Sequence, residues 1–179
     1  MSKKVLVLSA SPRKSGNSEM LCDQFMLGVK ESGNQVEKIF VVDKKIHYCV
    51  ACEVCKRNGG ICVHKDDMVE VLEKIITSDV IVMATPVYFY TMDAQMKTLI
   101  DRTVARYTEI KNKDFYFIVT AADESKQAME RTLEGFRGFT LCLGGAKEKG
   151  IIYGTGAWNK GDIKESQAMK QAYEMGKNV

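Results

Sequence analysis

Short apolar runs without polar alternation recur five times along this chain of 179 residues. They cover residues 5–8, 39–42, 80–84, 115–119 and 150–153, and valine, isoleucine and phenylalanine make up most of them. Runs of this composition are typical of strands that are buried on both faces of a parallel sheet. The pattern therefore predicts five parallel strands.

A helical pattern follows each predicted strand, with apolar residues at intervals of three and four. Leu21, Phe25 and Val29 follow the first strand in this way. Alternating strands and helices pair the strands in parallel through right-handed crossovers, with helices on both faces. We expect a three-layer α/β/α architecture, one domain over residues 1–179, and a five-stranded parallel sheet in the order 2-1-3-4-5. In that order a ligand binds at the carboxyl ends of strands one and three.

The first predicted strand runs into a polar loop, residues 9–18, with the sequence Ser-Ala-Ser-Pro-Arg-Lys-Ser-Gly-Asn-Ser. Free N–H groups at the start of the next helix, together with these hydroxyls and cations, form an anion site. The loop contains neither G-x-G-x-x-G nor G-x-x-x-x-G-K-[ST], which favours a single phosphate. The alternative is a solvated turn in which serine, asparagine and glycine are turn and cap residues.

Aromatic residues cluster in the loop after the third strand, residues 85–92. Its apolar walls and backbone donors suit a flat, partly apolar ring. The candidate contacts there are Thr85, Pro86, Val87, Tyr88 and Phe89. Thr120, Ala121 and Asp123, after the fourth strand, open at the same edge of the sheet, and small residues would let the ring approach the backbone. The alternative is that these aromatic residues pack a subunit interface.

Residues 43–65 form a connection that is longer than usual, and we treat it as a cysteine-rich insertion. It carries four of the six cysteines, Cys49, Cys52, Cys55 and Cys62, in the spacing C-x2-C-x2-C-x6-C. This spacing resembles the iron–sulfur run C-x2-C-x2-C-x3-C-P, and it favours a 4Fe-4S cluster over a zinc ion, whose ligands must converge on one point. A redox dithiol, cysteines that stay reduced without metal, and a disulfide are the alternatives.

The two remaining cysteines, Cys22 and Cys142, fall within helical patterns. A cysteine at such a position usually packs as a small apolar side chain. We therefore expect both to be buried thiols without a chemical role.

Charge and hydropathy bear on the kind of partner. The 26 Lys and Arg against 23 Asp and Glu give a formal net charge of +3 without a basic stripe, so we do not expect nucleic acid as a partner. No run approaches the ~20 apolar residues of a membrane-spanning helix, and no apolar signal region precedes the first strand. We expect a cytoplasmic protein, in which cysteines are more often ligands or redox groups than disulfides.

Four motifs together resemble the flavodoxin-like NAD(P)H-dependent FMN reductases and, within them, the iron–sulfur flavoproteins. They are S-x-S-P-R-x-S-G-N-S at residues 9–18, the cysteine run leading into C-x-x-x-D-D-M at residues 62–68, T-P-V-Y at residues 85–88 and M-K-x-x-x-D-R at residues 96–102. The resemblance extends over essentially the whole chain.

The resemblance implies FMN as the cofactor. Its phosphate would be held by the first loop, where the candidate contacts are Ser9, Ser11, Arg13, Ser15, Asn17 and Ser18. Its ring would lie along residues 86–89. The resemblance further implies a homodimer or homotetramer, with the flavin near a subunit boundary and a cluster close to it.

These features lead us to expect an FMN-dependent oxidoreductase that transfers electrons between NAD(P)H or a ferredoxin-like donor and a small acceptor. The cofactors would carry the chemistry, so no acid–base triad is needed. The alternative is a non-enzymatic electron carrier resembling flavodoxin, which the positive net charge disfavours because an acidic surface would be expected for docking to basic partners. A module that binds a phosphate without redox chemistry is a third hypothesis.

Overall fold

The computed structural model describes residues 2–179. Over these residues, five parallel strands form one sheet. They are β1 (Lys4–Ser9), β2 (Gln35–Phe40), β3 (Val80–Tyr88), β5 (Asp114–Thr120) and β6 (Lys147–Gly154). Their order across the sheet is β2-β1-β3-β5-β6. The flavodoxin-like order 2-1-3-4-5 of the parallel strands is thus confirmed. The sequence pattern did not predict β4 (Thr91–Met92), which pairs antiparallel with the end of β3.

Six α-helices lie between and after the strands in this part of the chain. They are α1 (Asn17–Glu31), α2 (Val54–Arg57), α3 (Met68–Thr77), α4 (Ala94–Arg102), α5 (Glu130–Leu141) and α6 (Gln167–Lys177). The helices α1 and α6 cover one face of the sheet, and α3, α4 and α5 cover the other. None of them, within residues 2–179, is both long enough and apolar enough to span a membrane.

Successive residues of the central strands face opposite layers. Val5 and Val7 of β1 pack with α1 and α6, whereas Leu6 and Leu8 pack with α3 and α4. Side chains alternate across a strand, so a strand covered on both faces needs apolar residues at every position. This is the physical reason that unbroken apolar runs predicted these strands.

The two edge strands differ from their predicted bounds. The predicted second strand, residues 39–42, overlaps only the end of β2, and residues 41–43 form a 3-10 turn. The exposed positions of β2 carry Gln35 and Glu37. Likewise, β6 begins at Lys147 with three exposed residues. An edge strand has less of its surface covered than a central one, so a search for continuous apolar residues misses its polar half.

The helices α1 and α6 approach each other at two glycines. A Cβ atom on Gly28 would lie 2.1 Å from the carbonyl oxygen of Tyr173, and one on Gly176 would lie 2.0 Å from that of Phe25. Side chains at these positions would push the two backbones apart. The glycines therefore set how closely these two helices can approach each other.

The two cysteines outside the insertion have different environments. Cys22 on α1 is fully buried, as expected, and burial raises the pKa of its thiol to about 12. The prediction for Cys142 is wrong, because this residue follows the last residue of α5 and is exposed. The apolar stripe of α5 ends before Cys142, and its thiol donates to the carbonyl oxygen of Gly138.

Candidate cofactor cavity and cysteine site

The carboxyl ends of β1, β3 and β5 open onto a cavity of about 640 Å³, which we call the cofactor cavity. The predicted residues on its wall are Ser11, Arg13, Asn17, Ser18, Pro86, Val87, Tyr88, Phe89, Thr120 and Ala121. The structure thus brings together three loops that are far apart in the sequence. This is the edge of a doubly wound sheet at which ligands bind.

The start of α1 forms one end of the cofactor cavity. Gly16 is the N-cap of this helix and has no side chain to satisfy the first N–H groups. Ser11 Oγ accepts a hydrogen bond from the Arg13 backbone N–H over 3.3 Å. The exposed Arg13 side chain donates to the carbonyl oxygen of Trp158 over 3.2 Å. Backbone donors, hydroxyls and a guanidinium therefore surround one end of the cavity, as an anion requires.

The side chain of Asn17 also binds the loop after β6, a contact that the sequence did not predict. Its Nδ2 donates to the carbonyl oxygens of Asn159 and Ala157 over 2.8 and 3.3 Å. Its Oδ1 accepts from the N–H groups of Gly161 and Ile163 over 2.9 and 3.4 Å. The side-chain amide is thus occupied by the loop after β6 and is not free to contact a ligand.

The aromatic residues lie on a hairpin between β3 and β4. Val87 pairs with Met92 and Tyr88 with Thr91, so Phe89 and Tyr90 form a two-residue turn. Both have positive φ, 50° and 64°, as a type I′ turn requires. The backbone of a residue other than glycine is strained in this conformation, and such strain is concentrated at functional sites. The Phe89 side chain is fully exposed.

Asp93 also lines the cofactor cavity, although sequence reasoning did not select it. Its backbone N–H donates to Thr85 Oγ1 over 3.1 Å, and its Oδ1 caps α4 by accepting from the Met96 N–H over 3.0 Å. Its Oδ2 is buried and has no hydrogen-bond partner among the residues described. Burial raises the pKa of Asp93 to about 6. The sequence feature that could have pointed to Asp93 is the position of an acidic residue directly after the aromatic hairpin.

Four predicted cofactor contacts are absent from the cavity wall formed by residues 2–179, namely Ser9, Ser15, Thr85 and Asp123. Ser9 is buried at the end of β1. Thr85 is buried as well, and its hydroxyl donates to the carbonyl oxygen of Pro86. Asp123 accepts from the Ser125 N–H within its own loop. Trp158 lines the cavity instead, from the loop after β6.

The four cysteines of the insertion line a separate cavity of about 350 Å³, the cysteine cavity. Cys49 and Cys52 are exposed, Cys55 and Cys62 are half-buried, and all four are free thiols. Across residues 2–179, no three or more His, Cys, Asp or Glu side chains are arranged to hold a metal ion. A 4Fe-4S cluster is bound by four thiolates distributed around it, so four thiols on the wall of one cavity fit its donor set.

Comparison with known sequences identifies a family to which this chain is similar. The model of the NADPH-dependent FMN reductase family matches residues 3–141. An iron-sulfur flavoprotein of Archaeoglobus fulgidus is 41% identical over 99 residues, which are 55% of this chain and 44% of that protein. One of Methanocaldococcus jannaschii is 38% identical over 100 residues, 56% of this chain and 51% of that protein. This chain spans about half the length of these relatives.

Solved structures share the fold at low sequence identity. An NAD(P)H:quinone oxidoreductase from Methanothermobacter marburgensis superposes with a TM-score of 0.76 at 17% identity, covering 99% of this chain and 97% of that one. An FMN-dependent NADH-azoreductase from Bacillus anthracis, in complex with FMN, gives 0.76 at 17% identity, covering 99% of each chain. Because the family model matches most of the chain, the chain belongs to the NADPH-dependent FMN reductase family.

Proposed function

We propose that this chain binds FMN in the cofactor cavity and transfers electrons from NAD(P)H or a ferredoxin-like donor to a small acceptor. The observation that carries the proposal is the shape of one cavity, which joins the start of α1 to an aromatic hairpin. FMN has the same two parts, a phosphate and a flat, partly apolar ring. Membership in the NADPH-dependent FMN reductase family also supports FMN as the cofactor.

In this proposal the phosphate binds at the backbone N–H groups of α1, beside Ser11 and Arg13. The ring lies along residues 86–89, and Ala121 and Ala122 leave room for its edge. Arg13 adds a permanent positive charge, since its guanidinium is not deprotonated in proteins. The cavity therefore distinguishes a phosphorylated flavin from riboflavin.

We test this assignment with the double variant Ser11→Ala, Arg13→Ala. Charge-assisted hydrogen bonds contribute about 1.5–3 kcal/mol each, so FMN affinity should fall by at least about tenfold. Fluorescence titration of FMN into flavin-free protein measures the affinity. Arg131→Ala, which removes an exposed cation from α5, is the matched control. An unchanged affinity in the double variant would refute the phosphate assignment.

We further propose that Cys49, Cys52, Cys55 and Cys62 hold a 4Fe-4S cluster. Their common position on the wall of the cysteine cavity supports this proposal, as does the similarity to iron-sulfur flavoproteins. The cluster would exchange single electrons, whereas FMN exchanges two as hydride with a nicotinamide. Iron and sulfide assays on protein purified without oxygen test the assignment, and flavin without iron would leave an FMN reductase alone.

The exposed hairpin supports a further part of the proposal, assembly as a homodimer or homotetramer. Phe89 and Tyr90 are exposed aromatic residues beside the cofactor cavity, where a second copy could cover them. Light scattering of the wild type and of Phe89→Ser gives the mass in solution. A monomeric wild type would contradict this part of the proposal.

Turnover separates an enzyme from an electron carrier. Rapid, flavin-dependent oxidation of NADPH or NADH by a quinone or nitroaromatic acceptor is the expected result. A protein that holds FMN and is reduced reversibly, but does not turn over with these acceptors, would be a carrier. A colourless protein that does not bind added FMN would contradict both.

A further inference from the structure

Arg102, the last residue of α4, has a side chain that is only 2% exposed. Arginine is rarely buried to this degree unless it is paired. Its Nη1 lies 2.7 Å from Asp66 Oδ2, and its Nη2 lies 2.9 Å from Asp66 Oδ1. Burial alone would raise the pKa of Asp66, but the Arg102 guanidinium and the hydrogen bonds from His47 hold it well below its ordinary range. Both members of the pair are therefore charged.

This ion pair connects both ends of the cysteine-rich insertion to α4. Near the start of the insertion, Arg102 Nη1 donates to the carbonyl oxygen of His47 over 2.6 Å. The His47 backbone N–H in turn donates to Asp66 Oδ2 over 3.0 Å. Near the end, Arg102 Nη2 donates to Cys62 Sγ over 3.5 Å. One guanidinium thus contacts two points of the insertion that are fifteen residues apart.

Cys62 is the cysteine that most needs such a contact. Cys49, Cys52 and Cys55 follow one another at intervals of three residues, so the short connections between them limit how far apart their sulfurs can lie. Cys62 follows a turn at Gly59 and Gly60, both of which have positive φ. The turn is held by hydrogen bonds from the Gly60 N–H to the Cys55 carbonyl oxygen over 2.9 Å and from the Ile61 N–H to Asn58 Oδ1 over 3.1 Å. These bonds end at Ile61, one residue before Cys62, so they do not fix the direction of the Cys62 side chain.

We propose that Arg102 is a positioning residue of the cysteine site, which holds the Cys62 sulfur at the wall of the cysteine cavity with a permanent positive charge beside it. The inference rests on the proposed cluster. Hydrogen bonds to ligand atoms fix their orientation, and those to the sulfurs of a cluster help to set its reduction potential. A nearby positive charge stabilises the reduced, more negative state and raises that potential.

Arg102→Lys tests the positioning role in the full-length chain. Lysine keeps a positive charge for Asp66, which protects the fold, but its compact ammonium cannot replace the two-pronged guanidinium that reaches both Asp66 and Cys62. We expect a chelator to remove iron about tenfold faster or more, in line with other residues that contact a ligand. The control is Arg106→Lys, because Arg106 pairs with Glu73 and Glu109 instead.

A second variant tests the effect on the reduction potential. Arg102→Gln combined with Asp66→Asn removes both charges together and leaves no buried carboxylate unpaired. We expect the midpoint potential of the cluster to be lower than in the wild type, and that of Arg106→Lys to be unchanged. Absorbance-monitored redox titration of the iron-loaded protein measures both.

Two results would overturn the proposal in different ways. If the wild type binds iron and the Arg102 variants fold with wild-type rates of iron loss and wild-type potential, Arg102 has no positioning role. If the wild type itself contains neither iron nor sulfide after purification and reconstitution without oxygen, the cluster assignment fails and this proposal fails with it. Measuring the wild type first distinguishes the two.

Discussion

Replacing Asp93 with asparagine is expected to stabilise the protein above pH 7 and to leave its stability nearly unchanged near pH 4. Burial raises the pKa of Asp93 from its ordinary value of 3.8 to about 6. The folded protein therefore binds this proton more tightly than the unfolded chain does. Below pH 3.8 the carboxyl is protonated in both states and costs nothing. As the pH rises towards 6, the unfolded state ionises first and stability is lost.

The size of the effect follows from the pKa difference. One pKa unit corresponds to about 1.4 kcal/mol, so a rise of about two units means that ionised Asp93 costs the folded state on the order of 3 kcal/mol above pH 7. Asparagine has the same shape, keeps an oxygen to accept from the Met96 N–H, and does not ionise. Asp93→Asn should therefore recover most of that cost at pH 8.

Urea denaturation at several pH values between 4 and 8 measures this difference in the free energy of unfolding. Wild type and variant are compared at matched flavin content, so that binding does not add to the difference. Asp101→Asn removes an exposed carboxylate from the same helix and is the matched control. A difference between Asp93→Asn and the wild type that stays constant from pH 4 to pH 8 would refute the reasoning.

Three further predictions concern packing and hydrogen bonding. Asn17→Ala loses four hydrogen bonds to residues 157–163 and should lower the free energy of unfolding by about 2–3 kcal/mol in urea denaturation. A loss below about 0.5 kcal/mol would show that the loop after β6 keeps its conformation without these hydrogen bonds. Gly28→Ala should cost about 3 kcal/mol or more, because its Cβ would lie 2.1 Å from a carbonyl oxygen of α6. Apart from its chain neighbours and the backbone of its own helix, Gly138 has no heavy atom of the described chain within 4 Å of a new Cβ. Gly138→Ala should therefore instead add about 0.5–1 kcal/mol, and equal effects of the two changes would contradict the packing argument. Cys22 should resist alkylation by iodoacetamide at pH 8, whereas the exposed Cys142 should react. Peptide mass spectrometry measures both reactions, and alkylation of Cys22 in the folded protein would contradict its burial.

The central strands and the position of the cavity could be predicted from the sequence. A strand such as β1, covered on both faces, must be apolar at every position, and that requirement is visible as Val5 to Leu8. In a parallel sheet the loops that follow the strands lie at one edge, so residues 9–18, 85–92 and 120–123 were expected to meet. These properties depend on local patterns and on one topological rule, both of which the sequence contains.

Other parts of the site depended on which segments meet in space. The amide of Asn17 is occupied by a loop about 140 residues later, and Trp158 reaches the cofactor cavity from that same loop. Arg102, at the end of α4, contacts both His47 and Cys62. None of these contacts repeats with a period along the chain, so no periodicity could indicate them. Local burial and right-handed crossovers were enough to predict the three layers and the edge of the sheet at which the ligand loops meet, and five strands suited the flavodoxin-like order. The side chains that close the cofactor cavity and the cysteine cavity could not be predicted in this way, because they depend on distances between segments that no local pattern encodes.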